Sequence, residues 1–283
     1  MPKKKAEVPI TKILSPKVDV VFKMIFGDER NKDILIDFLK AILSLDDEEY
    51  EHIAIADPHL KREKIKDKMG IVDVKLTSKS GKIIHIEIQV LEQEELAERV
   101  TYYNAKMLTA QIKSGNDFDL LKKTITILIT DFDMIDDYQK YHYTFELIDR
   151  DTGAKFTELI EIHTLELQKI PKESDNTARY DWLQFLNAKS EEEFDMIAEK
   201  RPAIKQAVVE VKKLSQSERA QMLYDDRQKA LWDEKARLKT VLNKRNREII
   251  ANGIKAGFTM EQISQITGLS IEELEKQKKK LKL

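Results

Sequence analysis

The sequence predicts a mixed α/β (α+β) core followed by an all-α region, and three observations carry that expectation. Apolar residues recur at three- and four-residue spacing near the start, the period becomes two from Ile53, and only helical periodicity remains after about residue 180. Val20, Val21, Met24, Ile25, Ile34, Leu35, Phe38, Leu39 and Ile42 place helix over residues 16–44, with Gly27-Asp28 separating two segments. Ile71 to Thr77 and Ile83 to Val90 alternate as strands, joined by the hairpin turn Ser78-Lys79-Ser80-Gly81. Glu92 to Lys113 returns to helix, with Gly115-Asn116 as its stop. Thr124 to Thr130 is a short β-branched run that fits a buried strand, and strands at about Tyr141 to Ile148 and Phe156 to Leu167 flank Asp151-Thr152-Gly153. Residues 1–170 therefore form a mixed β-sheet flanked by helices. Pro171 to Arg179 has no apolar periodicity, which puts a linker at 171–180 and a separate helical region over 181–283.

A chain of 283 residues has room for one large core and a smaller appendage, and 41% hydrophobic residues can fill that core. Lys and Arg number 49 against 51 Asp and Glu, which excludes a uniformly basic, histone-like protein. The charge is unevenly spread: residues 181–283 hold 21 Lys and Arg against 17 Asp and Glu, and residues 1–15 hold four Lys and one Glu. The acidic excess lies between. No apolar run approaches the roughly 18 to 20 residues that cross a bilayer, so no membrane partner is expected. Lys3-Lys4-Lys5 is not followed by an apolar stretch, so no secretory signal is read and the cytoplasm is the expected location. Without cysteine there are no disulfides, thiolate metal sites or cysteine nucleophiles, and any metal must sit on oxygen or imidazole. The five histidines are too scattered to suggest a zinc site.

The hairpin carries the candidate chemistry. Residues two apart in a strand share a face, so His85, Glu87 and Gln89 line one side while Ile84, Ile86, Ile88 and Val90 line the other. Val72, Val74 and Leu76 match the apolar side, which sets Asp73, Lys75 and Thr77 beside Glu87. Two converging carboxylates repel unless a proton or cation intervenes, and magnesium takes such an oxygen pair while keeping several waters. The competing reading is a solvated face of an antiparallel sheet, and periodicity does not choose between them.

Residues Ser15 to Lys23 through Phe26-Gly27, Gly70-Ile71-Val72-Asp73-Val74-Lys75, Ile86-Glu87-Ile88-Gln89 and Arg99 to Tyr103 together resemble the PD-(D/E)XK nuclease family transposases, also called recombination-promoting nucleases, over about residues 14–170. The resemblance implies a restriction-endonuclease-like core and a divalent-metal-dependent endonuclease acting on double-stranded DNA in transposition, recombination, mobile-element or defence biology. Asp73 and Glu87 would hold Mg2+, with Mn2+ or Ca2+ as alternatives. Asp19, on the first helix, is then a third acidic contributor or simply a surface carboxylate pairing with Lys23 four residues on. One departure stands out: Gln89 occupies the position where many relatives carry Lys. An amide orients water or phosphate but supplies no charge, which leaves Lys23 or Lys75 to provide it. Arg99 and Tyr103 share a helix face that meets a phosphate or base, unless the tyrosines pack that helix on the sheet. His85 is a further metal or DNA contact, or an ordinary surface or hydrogen-bonded histidine.

In the tail, Ser215-Gln216-Ser217-Glu218 reads as a capping box opening a helix to about Asn243, with Tyr224, Leu231 and Leu238 at heptad spacing. This stripe allows a homo-oligomer through the C-terminal helices, or packing on the chain's own domain. Arg237, Lys239, Lys244, Arg245 and Arg247 form a basic stretch, either a solvated face or a DNA contact. Phe258 to Leu274 resembles a helix-turn-helix with Gly268 at the turn and Ile263, Ile266 and Leu274 inside. Glu272, Glu273 and Glu275 oppose phosphate at the start of its second helix, which favours assembly over sequence reading. The alternative function is thus a catalytically silent DNA-binding or oligomeric scaffold protein that keeps the nuclease fold.

Overall fold

The computed structural model describes residues 12–56 and 73–281. The chain divides into two compact units, Met1–Asp225 and Asp226–Leu283. The first opens with α1 (Asp19–Phe26), a 3-10 turn over Glu29–Asn31 and α2 (Lys32–Ile42), so the break falls at Gly27-Asp28. A Cβ at Gly27 would lie 2.7 Å from the Lys23 carbonyl oxygen, and the glycine lets the chain turn there. A short α3 (Asp47–Glu51), not foreseen in the sequence, precedes β1 (Ala54–Ala56). The hairpin follows as β2 (Val74–Thr77) and β3 (Ile83–Gln89), and Gly70, Ile71 and Val72 lie outside the described residues. Next come α4 (Leu96–Thr109), β4 (Thr124–Thr130), β5 (His142–Ile148) and β6 (Lys155–Glu166).

The six strands form one mixed sheet in the order β1-β2-β3-β4-β6-β5. β3 and β4 run parallel, which requires a crossover, and α4 lies in it. β4 and β6 are also parallel, while β1-β2-β3 and β5-β6 are antiparallel. Ile84, Ile86 and Ile88 of β3 and Ile125, Ile127 and Ile129 of β4 face the main core. The opposite face of β4, with Thr124, Thr126 and Leu128, meets α4 through Asn104, Val100 and Leu96.

The main core does not stop at the linker expected over 171–180. α5 (Ala178–Asn187), α6 (Glu191–Ala198) and α7 (Pro202–Ser215) place Trp182, Phe185, Phe194, Ile204, Val208 and Val211 in the same apolar cluster as Phe22, Phe26 and Phe38. The break in periodicity marks a loop within this unit, because one sheet face needs those helices to exclude water from it. The Leu14 backbone N–H donates to Ser215 Oγ, and Tyr224 also joins the core. Ser215 is therefore a buried link at the end of α7, and Ser217 precedes the long helix α8 (Glu218–Lys255), its Oγ accepting from Ala220 N.

α8 passes into the second unit at Asp226 and continues through Gly253 to Lys255, well past the end expected at Asn243. There α9 (Met260–Thr267) and α10 (Ile271–Leu281) form the foreseen helical hairpin. Thr259 and Gln262 make a reciprocal capping box, and Gly268 ends α9 in the left-handed conformation at φ 69°. Its core is Ile250, Ile263 and Leu274. Ile266, expected inside, is exposed, because α8 rather than the turn side of α9 supplies the third apolar wall. A Cβ at Gly253 would sit 3.1 Å from the Ile263 side chain, so the absent side chain allows this close approach. Tyr224 and Leu231 of the heptad stripe are buried, whereas Leu238 is exposed.

Candidate active site

The hairpin register pairs Val74 with Ile86, and the next step outward sets Asp73 opposite Glu87. Glu49 of α3 holds the turn that fixes this register: its carboxylate accepts from Ser78 Oγ at 2.5 Å and from Ser80 N at 3.2 Å, and meets Lys82 Nζ at 2.5 Å. Burial pushes the Glu49 carboxyl up, but the bonds from Lys82, Ser78 and Ser80 outweigh it and bring its pKa down to about 2. Sequence reasoning missed Glu49 because its partners lie some thirty positions away.

Asp73 and Glu87 do converge, and the face they share is not a solvated one. α4 covers it: Glu87 and His85 are buried, with His85 fully enclosed. Asp73 Oδ2 accepts from the Ile88 backbone N–H at 2.8 Å, and Oδ1 lies 2.9 Å from Lys23 Nζ. α1 thus delivers Lys23 to Asp73. Asp19, at the first turn of the same helix, accepts from Val20 N at 2.9 Å and bears on Asp73 electrostatically.

Arg99 of α4 reaches Glu87 Oε1 at 2.5 Å and Gln89 Oε1 at 3.3 Å, and also bonds Gln93. The amide of Gln89 turns its N–H to the Leu91 carbonyl at 3.0 Å. Gln89 therefore tethers a guanidinium, and the charge its own side chain lacks stands beside it on Arg99. Arg99 faces the carboxylate itself, Tyr103 packs against Met107 and Ile83, and Tyr102 is exposed. Lys75 lies opposite His85 in the register.

Desolvation dominates the electrostatics. It raises the Asp73 carboxyl against the lowering pull of Lys23 and the Ile88 N–H, with Asp19 adding to the rise. It raises Glu87 likewise, against Arg99 and with Asp73. It lowers His85 to about 3, with Arg99 and Lys75 acting in the same sense, so His85 is neutral. Among the described residues His85 Nδ1 and Nε2, Glu87 Oε2 and Arg99 Nε are buried without a hydrogen-bond partner, and the 3.6 Å from His85 Nε2 to Glu87 Oε2 is too long for one. Unpaired buried polar atoms are costly and concentrate at functional sites.

A carboxyl whose pKa is raised on folding holds its proton longer in the native state than in the unfolded one. Its ionisation therefore removes stability as pH rises from about 4, the unfolded value, through the raised native value. Glu87→Gln, which cannot ionise, is expected to gain stability relative to wild type over that range without added metal. Urea melts of both proteins from acid to neutral pH check this, and a gap independent of pH would contradict it.

The donor set suits a hard divalent cation. Asp73 and Glu87 offer carboxylate oxygens, Glu87 Oε2 has no hydrogen-bond partner among the described residues, and magnesium commonly binds through one or two carboxylates with its waters retained. Among the described residues there is no cluster of three or more His, Asp or Glu able to hold a metal. No helix among them is long and apolar enough to cross a membrane.

Comparison with curated proteins and with solved structures gives no match. The profile of the family described as PD-(D/E)XK nuclease family transposase matches residues 16–241, spanning the sheet, its covering helices and most of α8. A match over that much of the chain, joined to a mixed sheet that brings Asp73 and Glu87 together at its hairpin, makes the protein a member of the PD-(D/E)XK nuclease family transposases.

Proposed function

We propose that the chain is a divalent-metal-dependent DNA endonuclease whose centre is Asp73 and Glu87. The observation that carries this reading is the pair itself: a buried Glu87 on β3 and a partly buried Asp73 just before β2, both with raised pKa values and each facing a cation from a different helix. Nucleases of this family typically use divalent metals, and the family implies DNA as substrate. Asp73 and Glu87 are the residues proposed to hold the ion, with Mg2+ the first choice and Mn2+ or Ca2+ the alternatives.

When bound, the cation supplies Lewis acidity toward a phosphoryl oxygen and the attacking water. The chain's own residues do the rest. The Ile88 N–H and Lys23 orient the Asp73 carboxylate. Arg99 holds Glu87, and its positive charge beside that carboxylate offsets charge that develops on phosphate. Gln89 fixes Arg99, and Asp19 adds negative potential on the α1 side. Lys23, 39% exposed and opposite Asp73, is the second cation within reach of substrate.

The ion pairs also support a second reading, a catalytically silent DNA-binding or scaffold protein, since both carboxylates already have cationic partners. Supercoiled plasmid incubated with the purified protein and Mg2+ or Mn2+ separates the two. Nicking that EDTA abolishes is the expected result. A protein that shifts the plasmid on a gel but leaves it supercoiled with either metal would replace the first reading by the second.

A further inference from the structure

The second unit is basic, with 14 Lys and Arg against eight Asp and Glu over residues 226–283, and several of these cations line one side of α8. Asn246, Ile250 and Gly253 are buried, and Ile250 and Gly253 meet Ile263 of α9. Arg237, Lys244 and Lys255 are separated by close to two and three whole turns, so they share the opposite line of the helix, with Arg245 and Arg247 beside it. All five are exposed.

These cations are little used within the chain. Among the described residues Lys244, Arg245 and Lys255 have neither an ion pair nor a side-chain hydrogen bond, and Arg247 donates only to the Gln277 amide at 3.4 Å. Arg237 pairs with Glu234 on its own helix at 2.6 Å. The acids nearby are engaged otherwise: Glu273 caps Ser270 and Glu272 pairs with Lys276. Glu248 is the one carboxylate on the basic line, and Val241 lies alongside. Helix packing explains the buried line, near which Lys239 also stands exposed, but gives no reason for three cations on the opposite line and two flanking it.

From Arg237 to Lys255 the stripe runs about 27 Å at 1.5 Å per residue. Measured along the duplex axis each strand carries a phosphate about every 3.4 Å, so the stripe is long enough to span roughly eight base pairs. We propose that this outer face of α8 is a second nucleic-acid contact, separate from Asp73 and Glu87, which grips the phosphate backbone of duplex DNA without reading its sequence. Exposed Lys and Arg along one side of a helix present positive charge to a polyanion, whereas base reading calls for convergent donors in a groove. The contact does not depend on the nuclease reading, since a catalytically silent chain would retain it.

The test uses the full chain in EDTA and a fluorescent duplex of about 20 base pairs, with binding followed by anisotropy between about 50 and 200 mM salt. Lys244→Ala/Arg245→Ala/Lys255→Ala is expected to make the slope of log affinity against log salt shallower by about 2.7, at about 0.9 per lost phosphate contact. Helical content by circular dichroism should be unchanged, because alanine favours helix at exposed positions. An unchanged slope in the triple variant overturns the proposal, as does a wild-type chain that fails to bind. Competition by polyglutamate as effective as by unlabelled duplex also overturns it, reassigning the stripe to an acidic protein partner.

Discussion

Replacing Asp73 or Glu87 by alanine is expected to lower metal-dependent plasmid nicking roughly a thousandfold, as removal of about 4 kcal/mol of metal-derived transition-state stabilisation would. Neither loss should reflect unfolding. Both carboxylates are destabilised by burial in the folded chain, and their neighbours remain tied elsewhere: Arg99 keeps Gln89 and Gln93, while Lys23 is partly exposed. Melting temperatures measured without metal, close to wild type, would make the loss chemical. Nicking that persists in both variants, or that follows a different chromatographic peak from the protein, would remove the site from this pair of residues.

Trp182→Ala is expected to cost about 3 to 5 kcal/mol, the range for deleting a large buried aromatic side chain. The indole is fully buried and sits among three phenylalanine rings, with centroids 5.8 Å from Phe26, 5.7 Å from Phe38 and 5.6 Å from Phe185. Its Nε1 donates to Asp37 Oδ2 at 2.8 Å, so truncation also leaves that carboxylate without a donor. Urea denaturation reads the effect, and a chain ending at residue 170 should fail to give a cooperative transition at all. A stable fold from residues 1–170 would return α5–α7 to a separate domain.

Local periodicity made much of the fold legible. α1, α2, the β2-β3 hairpin and β4 follow apolar spacings that depend only on near neighbours. The convergence of Asp73 and Glu87 was legible for the same reason, since a short turn fixes register and register fixes the face. What covers that face was not. α4 carries Arg99, Val100 and Asn104 toward the sheet, a mixed set that reads equally well as a helix turned to water. Glu49, the second half of the core on α5–α7, and the docking of Ile250 against α9 each rest on contacts between distant segments. Gly253, by sequence a place to stop a helix, instead marks where two helices come closest.

The bond from Leu14 N to Ser215 Oγ, spanning 201 positions, bears on how the protein is made. At about 5 to 20 residues per second, a ribosome needs roughly 10 to 40 s between adding the two partners. For most of that interval the apolar faces of α1 and α2 have been synthesised, while Trp182, Phe185 and Val211, which will cover them, have not. The nascent chain therefore carries uncovered core surface for much of its synthesis, and its first unit can close only once α7 has been made.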